Sequence, residues 1–277
     1  MPAVPDITLN NGVTIPQLGF GTFQISPEET RETTLAALET GYRHMDTAEM
    51  YGNEKEVGQA VRDSGIDRAD VFVTSKLNND AHQHDDALRA FDRTMDELGL
   101  EYLDLFLIHW PLPGSTSGDF VETWKALEEV YRSGRAKAIG VSNFQPNHLR
   151  RLLESSTVVP AVNQIEVHPY LTQDAVRAFG AEHDIATEAW SPIAQGKVLS
   201  DPAITRIAER LGRSAAQVVL RWHLQRGDIV FPKSVTLKRI QENFALFDFE
   251  LTEGDIGEIS ALNRDERTGP DPDTFNG

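Results

Sequence analysis

Short apolar runs alternate along the chain with longer stretches in which apolar side chains recur every third or fourth position. Residues 6–9, the turn Asn10-Asn11-Gly12 and residues 13–15 predict a β-hairpin, because Asn-Gly suits a tight two-residue turn. Residues 18–23 read as a first short strand. Residues 27–40 then read as a helix, with Ser26 as its cap and Gly41 after its end. The alternation continues with a strand over 42–46, a helix over 54–64 closed by Gly65, and a strand over 71–75. A helix over 85–98 follows, with Leu88, Phe91, Met95 and Leu98 on one face and Gly99 at its end. Next come a strand over 102–109 and a helix over 120–133 whose stripe is Trp124, Leu127, Val130 and Tyr131. Strands over 136–142, 161–165 and 185–190 are separated by helices over 146–154 and 173–183. Two helices, 204–211 and 215–225, precede the last strand at 229–232, a short helix from Leu237 and an acidic, Pro-rich tail.

Eight strands after a hairpin, each followed by helix and with no Pro/Ser-rich linker between them, predict one (β/α)8 TIM barrel domain over residues 1–277. A doubly wound sheet is the competing architecture. Its dinucleotide fingerprint is absent, since Gly19-Phe-Gly21 is followed by Gln24 where a third glycine belongs. No phosphate-binding G-x-x-x-x-G-K-[ST] loop is present either.

The apolar strands end abruptly in chemically capable side chains: Asp46, Lys76, His109, Ser142-Asn143, Gln164, Trp190-Ser191 and Lys233-Ser234. In a barrel these converge on the C-terminal face, where barrel enzymes carry their sites. Each has an ordinary explanation alone. His109 could be a satisfied core histidine, Asp46 and Lys76 a structural ion pair, Tyr51 a packed aromatic and Trp190 core. Ser142 and Asn143 could cap the helix beginning near Pro146. Their recurrence on successive strands favours a site.

Tyr51, Lys76 and Asp46 together form a proton-delivery device. A phenol is a weak acid with a reference pKa of about 10, a neighbouring ammonium favours its ionised form, and an ammonium in a poorly hydrated cleft needs a carboxylate to keep its charge. Reduction of a carbonyl requires such a donor. Other chemistries lack parts. His82 and His84 have no third ligand at metal spacing, so no metal is expected, and there is no G-x-S-x-G elbow.

Composition narrows the setting. The 277 residues are 40% apolar and 25% charged, with no cysteine, which excludes disulfides and thiol chemistry. The first residues carry no basic segment leading into an apolar core. The apolar stretch from Leu103 to Leu112 is interrupted by Asp104 and His109 and is too short to span a bilayer, so a cytoplasmic protein is expected. A net charge of −17 argues against nucleic acid or an anionic membrane as partner. Any anionic cofactor must then land on a local basic island, and residues 233–239, with Lys233 and Arg239, supply one.

These residues resemble the aldo-keto reductase family across nearly the whole chain, from the hairpin to about Asn263. Residues 41–54, G-Y-R-H-M-D-T-A-E-M-Y-G-N-E, are similar to its first signature, Val141-Ser-Asn-Phe to its second, and Phe231-Pro-Lys-Ser-Val with Arg239, Glu242 and Asn243 to its third. Within the family the chain is most similar to short bacterial members such as 2,5-diketo-D-gluconate reductases. The resemblance implies a (β/α)8 barrel and NADPH-dependent carbonyl–alcohol interconversion on a small-molecule carbonyl, a keto-sugar or α-keto ester among the options, by a monomer. It implies a tetrad of Asp46, Tyr51, Lys76 and His109. It also implies cofactor contacts from Gly21, Thr22 and Asp46, and a carboxamide site at Ser142, Asn143 and Gln164. Trp190 would stack on the nicotinamide, and Ser191, Pro192, Gln195 and Lys197 would cover the pyrophosphate. Lys233, Ser234, Val235, Thr236 and Arg239 would hold the 2′-phosphate, with Glu242 and Asn243 near the adenine.

Three departures stand out. Ala194 occupies a position where the family commonly has glycine, in the covering loop. Asn78 stands where an aromatic often lines the substrate pocket, leaving Phe23 and Trp110 as its apolar walls beside Tyr51 and His109. The tail after Asn263 is short, which predicts a pocket more open than in animal members. Two other functions use the same residues: a Schiff-base aldolase built on Lys76, and an NADPH-binding regulatory barrel with slow turnover.

Overall fold

The computed structural model describes residues 4–115 and 118–277. Strands β1 (Asp6–Thr8) and β2 (Thr14–Pro16) form the antiparallel hairpin. Eight parallel strands follow in chain order: β3 (Phe20–Gly21), β4 (His44–Asp46), β5 (Phe72–Leu77), β6 (Leu103–Ile108), β7 (Ala136–Ser142), β8 (Val162–Glu166), β9 (Ala186–Trp190) and β10 (Ile229–Val230). A parallel bridge between Leu18 and Val230 joins the last strand to the first. The Gly19 amide donates to the Val230 carbonyl at 2.7 Å and the Val230 amide to that of Gln17 at 2.9 Å, closing a (β/α)8 barrel. The outer layer is α1 (Pro27–Thr40), α2 (Glu54–Asp63), α3 (His84–Leu98), α4 (Phe120–Arg132), α5 (Pro146–Leu153), α6 (Asp174–Glu182), α7 (Pro202–Leu211), α8 (Ala215–Gln225), α9 (Leu237–Phe244) and α10 (Glu253–Ser260).

Strand periodicity sorts the side chains into two layers. One set of alternating positions, among them Met45, Val73, Phe106, Ile108, Val141, Ile165 and Ala189, joins the apolar cluster shared with the helices. The other set lines the barrel and changes character along each strand. At the lower end Phe72, Leu105, Leu107, Ala138, Val162 and Ile229 pack with Leu9 and Ile15 of the hairpin, which plugs the N-terminal opening. Two or four residues further along the same faces stand Thr74 and Lys76, His109, Ser142, and Gln164. The interior therefore grades from a largely apolar floor to a polar ceiling, with His44 and Glu188, in register with Phe72 and Ile229, as buried polar exceptions near the floor. Glycine is required where the strands converge: a Cβ at Gly140 would lie 2.6 Å from the Val162 carbonyl, and one at Gly21 2.7 Å from that of Phe231.

The structure shifts several boundaries. The 71–75 strand runs to Leu77, so Lys76 lies within a strand instead of just after one. The first and last barrel strands shrink to two residues each, with closure carried by flanking backbone bonds. Helix α7 starts at Pro202 because Asp201 accepts from the Ala203 amide at 2.9 Å. Helix α10 breaks what reads as tail, and Thr252 and Asp255 cap it reciprocally. Ser26 sits at the N-cap of α1, but its hydroxyl bonds the Glu29 side chain and no backbone amide. Gln145, not Ser142 or Asn143, caps α5.

Helix α2 meets the C-terminus of α3 at Gly58, where an added Cβ would sit 1.8 Å from the Leu98 carbonyl oxygen. The clash is with backbone and cannot be relieved by a rotamer change. Gly58→Ala should cost about 3 kcal/mol or more, the upper end for overpacking. Urea unfolding checks this.

Candidate active site

At the polar end of the barrel, Lys76 and Asp46 point inward from neighbouring strands and are buried, 0% and 1% exposed. The Lys76 ammonium donates to Asp46 Oδ1 and to the Thr47 carbonyl, each at 2.8 Å. Burial acts to lower the Lys76 pKa, but Asp46 and Tyr51 overcome it and hold the ammonium above the ordinary lysine value. Burial drives Asp46 up, with Lys76 and Gln164 pulling it back. Gln164 Nε2 donates to Asp46 Oδ2 at 2.8 Å.

Tyr51 ends a short 3-10 turn, Glu49–Tyr51, just beyond β4. Its half-buried ring lies 5.0 Å from Lys76 Nζ, 5.8 Å from the His109 ring and 5.0 Å from that of Phe23. Burial raises the Tyr51 pKa and Lys76 opposes it, so the ammonium acts in the expected direction while desolvation wins. Buried Asn53 fixes this turn. Its amide donates to the Thr22 and Ile25 carbonyls at 3.0 and 3.2 Å and accepts from Thr47 Oγ1 at 2.8 Å. His109 is buried, and burial with Lys76 nearby holds its pKa well below the ordinary value, so its ring is neutral. Among the described residues its Nδ1 meets no hydrogen-bond partner.

The remaining strand ends stand beside this group. Asn143, in left-handed conformation at φ 65°, accepts from Trp190 Nε1 at 2.8 Å and donates to the His109 carbonyl at 2.9 Å. Ser142 Oγ donates to the Gln164 carbonyl at 2.8 Å. Thr22 is buried and its hydroxyl donates to the Asp46 backbone carbonyl at 3.0 Å, whereas Gly21 answers to barrel closure. After β9 the chain passes through Ser191, Ala194 and Gln195 at positive φ (47°, 49° and 54°) before Gly196. Ala194 is completely buried in a backbone form that suits glycine, so the departure seen in the sequence is accommodated at a steric cost. Pro192 receives a hydrogen bond from His223 at 3.1 Å, and Gln195 is exposed. At the start of α9, Lys233, Val235, Thr236 and Arg239 are exposed and Ser234 is buried. Among the described residues Lys233 and Arg239 form no ion pair. Glu242, half-buried, pairs with Lys238 at 3.8 Å, and Asn243 is half-buried beside it.

The Aldo/keto reductase family model matches residues 17–264. The chain belongs to the aldo/keto reductase family. It is 51% identical over 272 residues to an aldo-keto reductase of Mycobacterium sp. (strain KMS), covering 98% of each protein. It is 46% identical to the glyoxal reductase of Bacillus subtilis (strain 168), covering 96% of each. The crystal structure of a Gox0644 mutant in complex with NADPH superposes with a TM-score of 0.94 at 46% identity, covering 99% of both chains.

In this aldo/keto reductase the short tail is held across part of the mouth. The buried Glu166 carboxylate accepts from the Thr268 and Gly269 amides, at 2.6 and 3.1 Å, and clamps the tail across the ends of β8 and β9. Gly269 lies so close to Trp190 that a Cβ there would be 2.5 Å from the indole. Further along, the Phe275 ring packs 4.5 Å from that of Trp110, and Asn276 accepts from the Gly114 amide at 2.7 Å. Lys197 faces Glu266 of the same tail at 3.6 Å. Phe23 is 53% exposed at the opposite lip, and the Asn78 carboxamide accepts from the Asn79 amide at 2.8 Å, bracing its own loop. Phe275, Glu166 and Asn53 went unnoticed in the sequence, though Asn53 lies inside the first signature. His44 and Glu188, buried below the tetrad, also escaped notice; an acidic residue amid the A-T-E-A-W strand was their available signal.

Lys76 has one compensating anion, so removing either charge alone leaves the other buried and unpaired. Lys76→Met should cost about 3–5 kcal/mol. The double variant Lys76→Met/Asp46→Asn should recover much of that loss, as measured by denaturant unfolding.

Proposed function

We propose that the protein reduces aldehydes and ketones to alcohols with NADPH, with Tyr51 as the proton donor. The observation that carries this reading is the placement of the Tyr51 ring against Lys76, whose charge is locked by Asp46, with neutral His109 on its other side. When bound, NADPH supplies the hydride.

The chain's own residues fit that cofactor. Gln164 spends its amide N–H groups on carboxyl oxygens, so its carbonyl oxygen remains as an acceptor for a carboxamide N–H. Asn143 Oδ1 retains a lone pair beyond its bond from Trp190. Trp190 itself, held by that bond, offers an indole face. The first turn of α9 presents free backbone amides together with Lys233 and Arg239, suiting a phosphate. Loop residues Ser191, Pro192, Gln195 and Lys197 would border the pyrophosphate.

Tyr51 remains protonated at neutral pH, because burial raises its pKa, and so holds a proton ready for an alkoxide oxygen. Lys76 stabilises the negative charge left on the phenol oxygen. His109, neutral and short of partners, is suited to donate a hydrogen bond to the substrate carbonyl oxygen and orient it. Phe23, Trp110 and Phe275 form an apolar rim suited to small carbonyls, and the glyoxal reductase relative directs attention to α-dicarbonyls, beside keto-sugars and α-keto esters. A Schiff-base role for Lys76 is disfavoured because its ammonium is fully buried and committed to Asp46 and Thr47. On this proposal the protein acts as a cytoplasmic monomer.

Tyr51→Phe should lower turnover at least about 10²-fold, the scale of a positioned acid, with NADPH affinity little altered. Near wild-type NADPH oxidation with glyoxal-type substrates would overturn the assignment. Arg239→Ala should weaken NADPH roughly ten- to a hundred-fold, as expected for loss of a charge-assisted phosphate contact, and leave NADH nearly unchanged. Tryptophan fluorescence titrations with both coenzymes measure the difference.

A further inference from the structure

Below the tetrad lies a second carboxyl group with no cation of its own. Glu188, on β9, is fully buried in register with Gln164 on β8. Its Oε2 accepts from Gln164 Nε2 at 2.9 Å, and the same nitrogen donates to Asp46 Oδ2 at 2.8 Å. One amide thus bridges two carboxyl groups with both of its N–H bonds. Only this orientation satisfies them, and it turns the Gln164 carbonyl oxygen away from them.

The groups facing Glu188 come from three strands. Gln164 is on β8, His44 and Asp46 on β4, and Thr74 and Lys76 on β5. Lys76 is committed to Asp46 and Thr47. His44 Nε2 lies 3.6 Å from Glu188 Oε1 and 3.3 Å from Thr74 Oγ1. His44 Nδ1 faces the Pro16 carbonyl at 3.3 Å, which can only accept, so Nδ1 carries the ring proton and Nε2 is an acceptor. Burial lowers the His44 pKa to about 3, which keeps the ring neutral. The cluster therefore offers Glu188 one hydrogen-bond donor, Gln164, and no free positive charge, and among the described residues Glu188 Oε1 has no hydrogen-bond partner, with the His44 acceptor standing just beyond reach at 3.6 Å.

Resting on the carbonyl-reduction reading, we propose that Glu188 is a positioning residue of the reaction: it fixes the face that Gln164 presents to the cofactor and governs the charge beneath the Asp46–Lys76 pair. At neutral pH the carboxylic acid accepts from Gln164 at Oε2 and keeps its proton on the unpartnered Oε1, on the side of His44 Nε2. Burial and the nearby Asp46 raise its pKa to about 8, so it is mostly protonated at neutral pH and ionises around that value. Ionisation places a second anion beside Asp46. That anion competes for Lys76 and opposes the negative charge that Tyr51 acquires on giving up its proton, so reduction slows.

Two variants test this. Glutamine matches neutral Glu188 in shape, accepting from Gln164 and donating toward His44, but it cannot ionise. The wild type should lose kcat with an apparent pKa near 8, and in Glu188→Gln this limb should move up by at least about one pH unit. Glu188→Leu removes the acceptor and frees the Gln164 amide, so the dissociation constant for NADPH, followed by fluorescence, should rise roughly fivefold or more. Glu188→Gln should restore it. An unmoved alkaline limb in Glu188→Gln, or NADPH affinity unaltered in Glu188→Leu, would overturn the proposal. A wild-type protein that binds NADPH yet reduces no carbonyl would instead count against the proposed function, while the binding comparison would still judge Glu188.

Discussion

Everything at the mouth of this barrel depends on keeping one ammonium charged where water does not reach. Moving Lys76 out of water carries a penalty that is offset only by near-ideal contacts. Asp46 and the Thr47 carbonyl provide them at 2.8 Å from the adjacent strand. The register of β4 and β5 sets Asp46 opposite Thr74, so Lys76, two residues further along the same inward face, meets Asp46 and the Thr47 carbonyl just past the end of β4, and Asn53 holds the following turn so that Tyr51 leans over the ammonium. The surrounding histidines are neutral for the same reason: burial and the proximity of Lys76 both disfavour a second cation. Burial therefore sets the protonation states around Lys76, and its fixed positive charge reinforces them at the histidines.

Much of this was legible in the sequence because a barrel interior is read at every second residue. Apolar strands that end in Asp46, Lys76 and His109 break their own pattern at the position where the interior meets the mouth. A helix with a clear 3.6-residue stripe and a terminal glycine, such as the one ending before Gly99, was equally readable, whereas α1, whose buried face is mostly threonine, was marked by Ser26 and Gly41 alone. Short strands were harder. In β3 and β10 closure is carried by backbone groups that leave no side-chain pattern, so both appeared longer than they are.

The tail and the barrel floor were illegible for different reasons. Residues 264–277 have no periodicity, and their order comes from distant anchors, Glu166 about a hundred positions earlier in the chain together with Trp110, Gly114 and Tyr170. Nothing local signals that Phe275 will meet Trp110. Glu188 was hidden because a lone acidic residue in a strand normally faces solvent. Only the three-dimensional register reveals that this one faces Gln164. The acidic surface tells a complementary story: most basic side chains are consumed in ion pairs with carboxylates, and Lys233 and Arg239 stand apart at the helix start where a phosphate would be welcome.

The seam of the barrel sets the order in which the molecule can be assembled. The segment around Leu18 finds its strand partner at Val230, more than two hundred residues away along the chain. Intervening strands can pair with their predecessors as they are synthesised, since each neighbour in the sheet is also the neighbour in sequence. The first strand alone must wait with one edge open until the last arrives. During translation the N-terminal hairpin and β3 are thus present from the start, yet the ring they complete cannot close until residue 230 has left the ribosome, so closure comes late in a chain whose other contacts form locally.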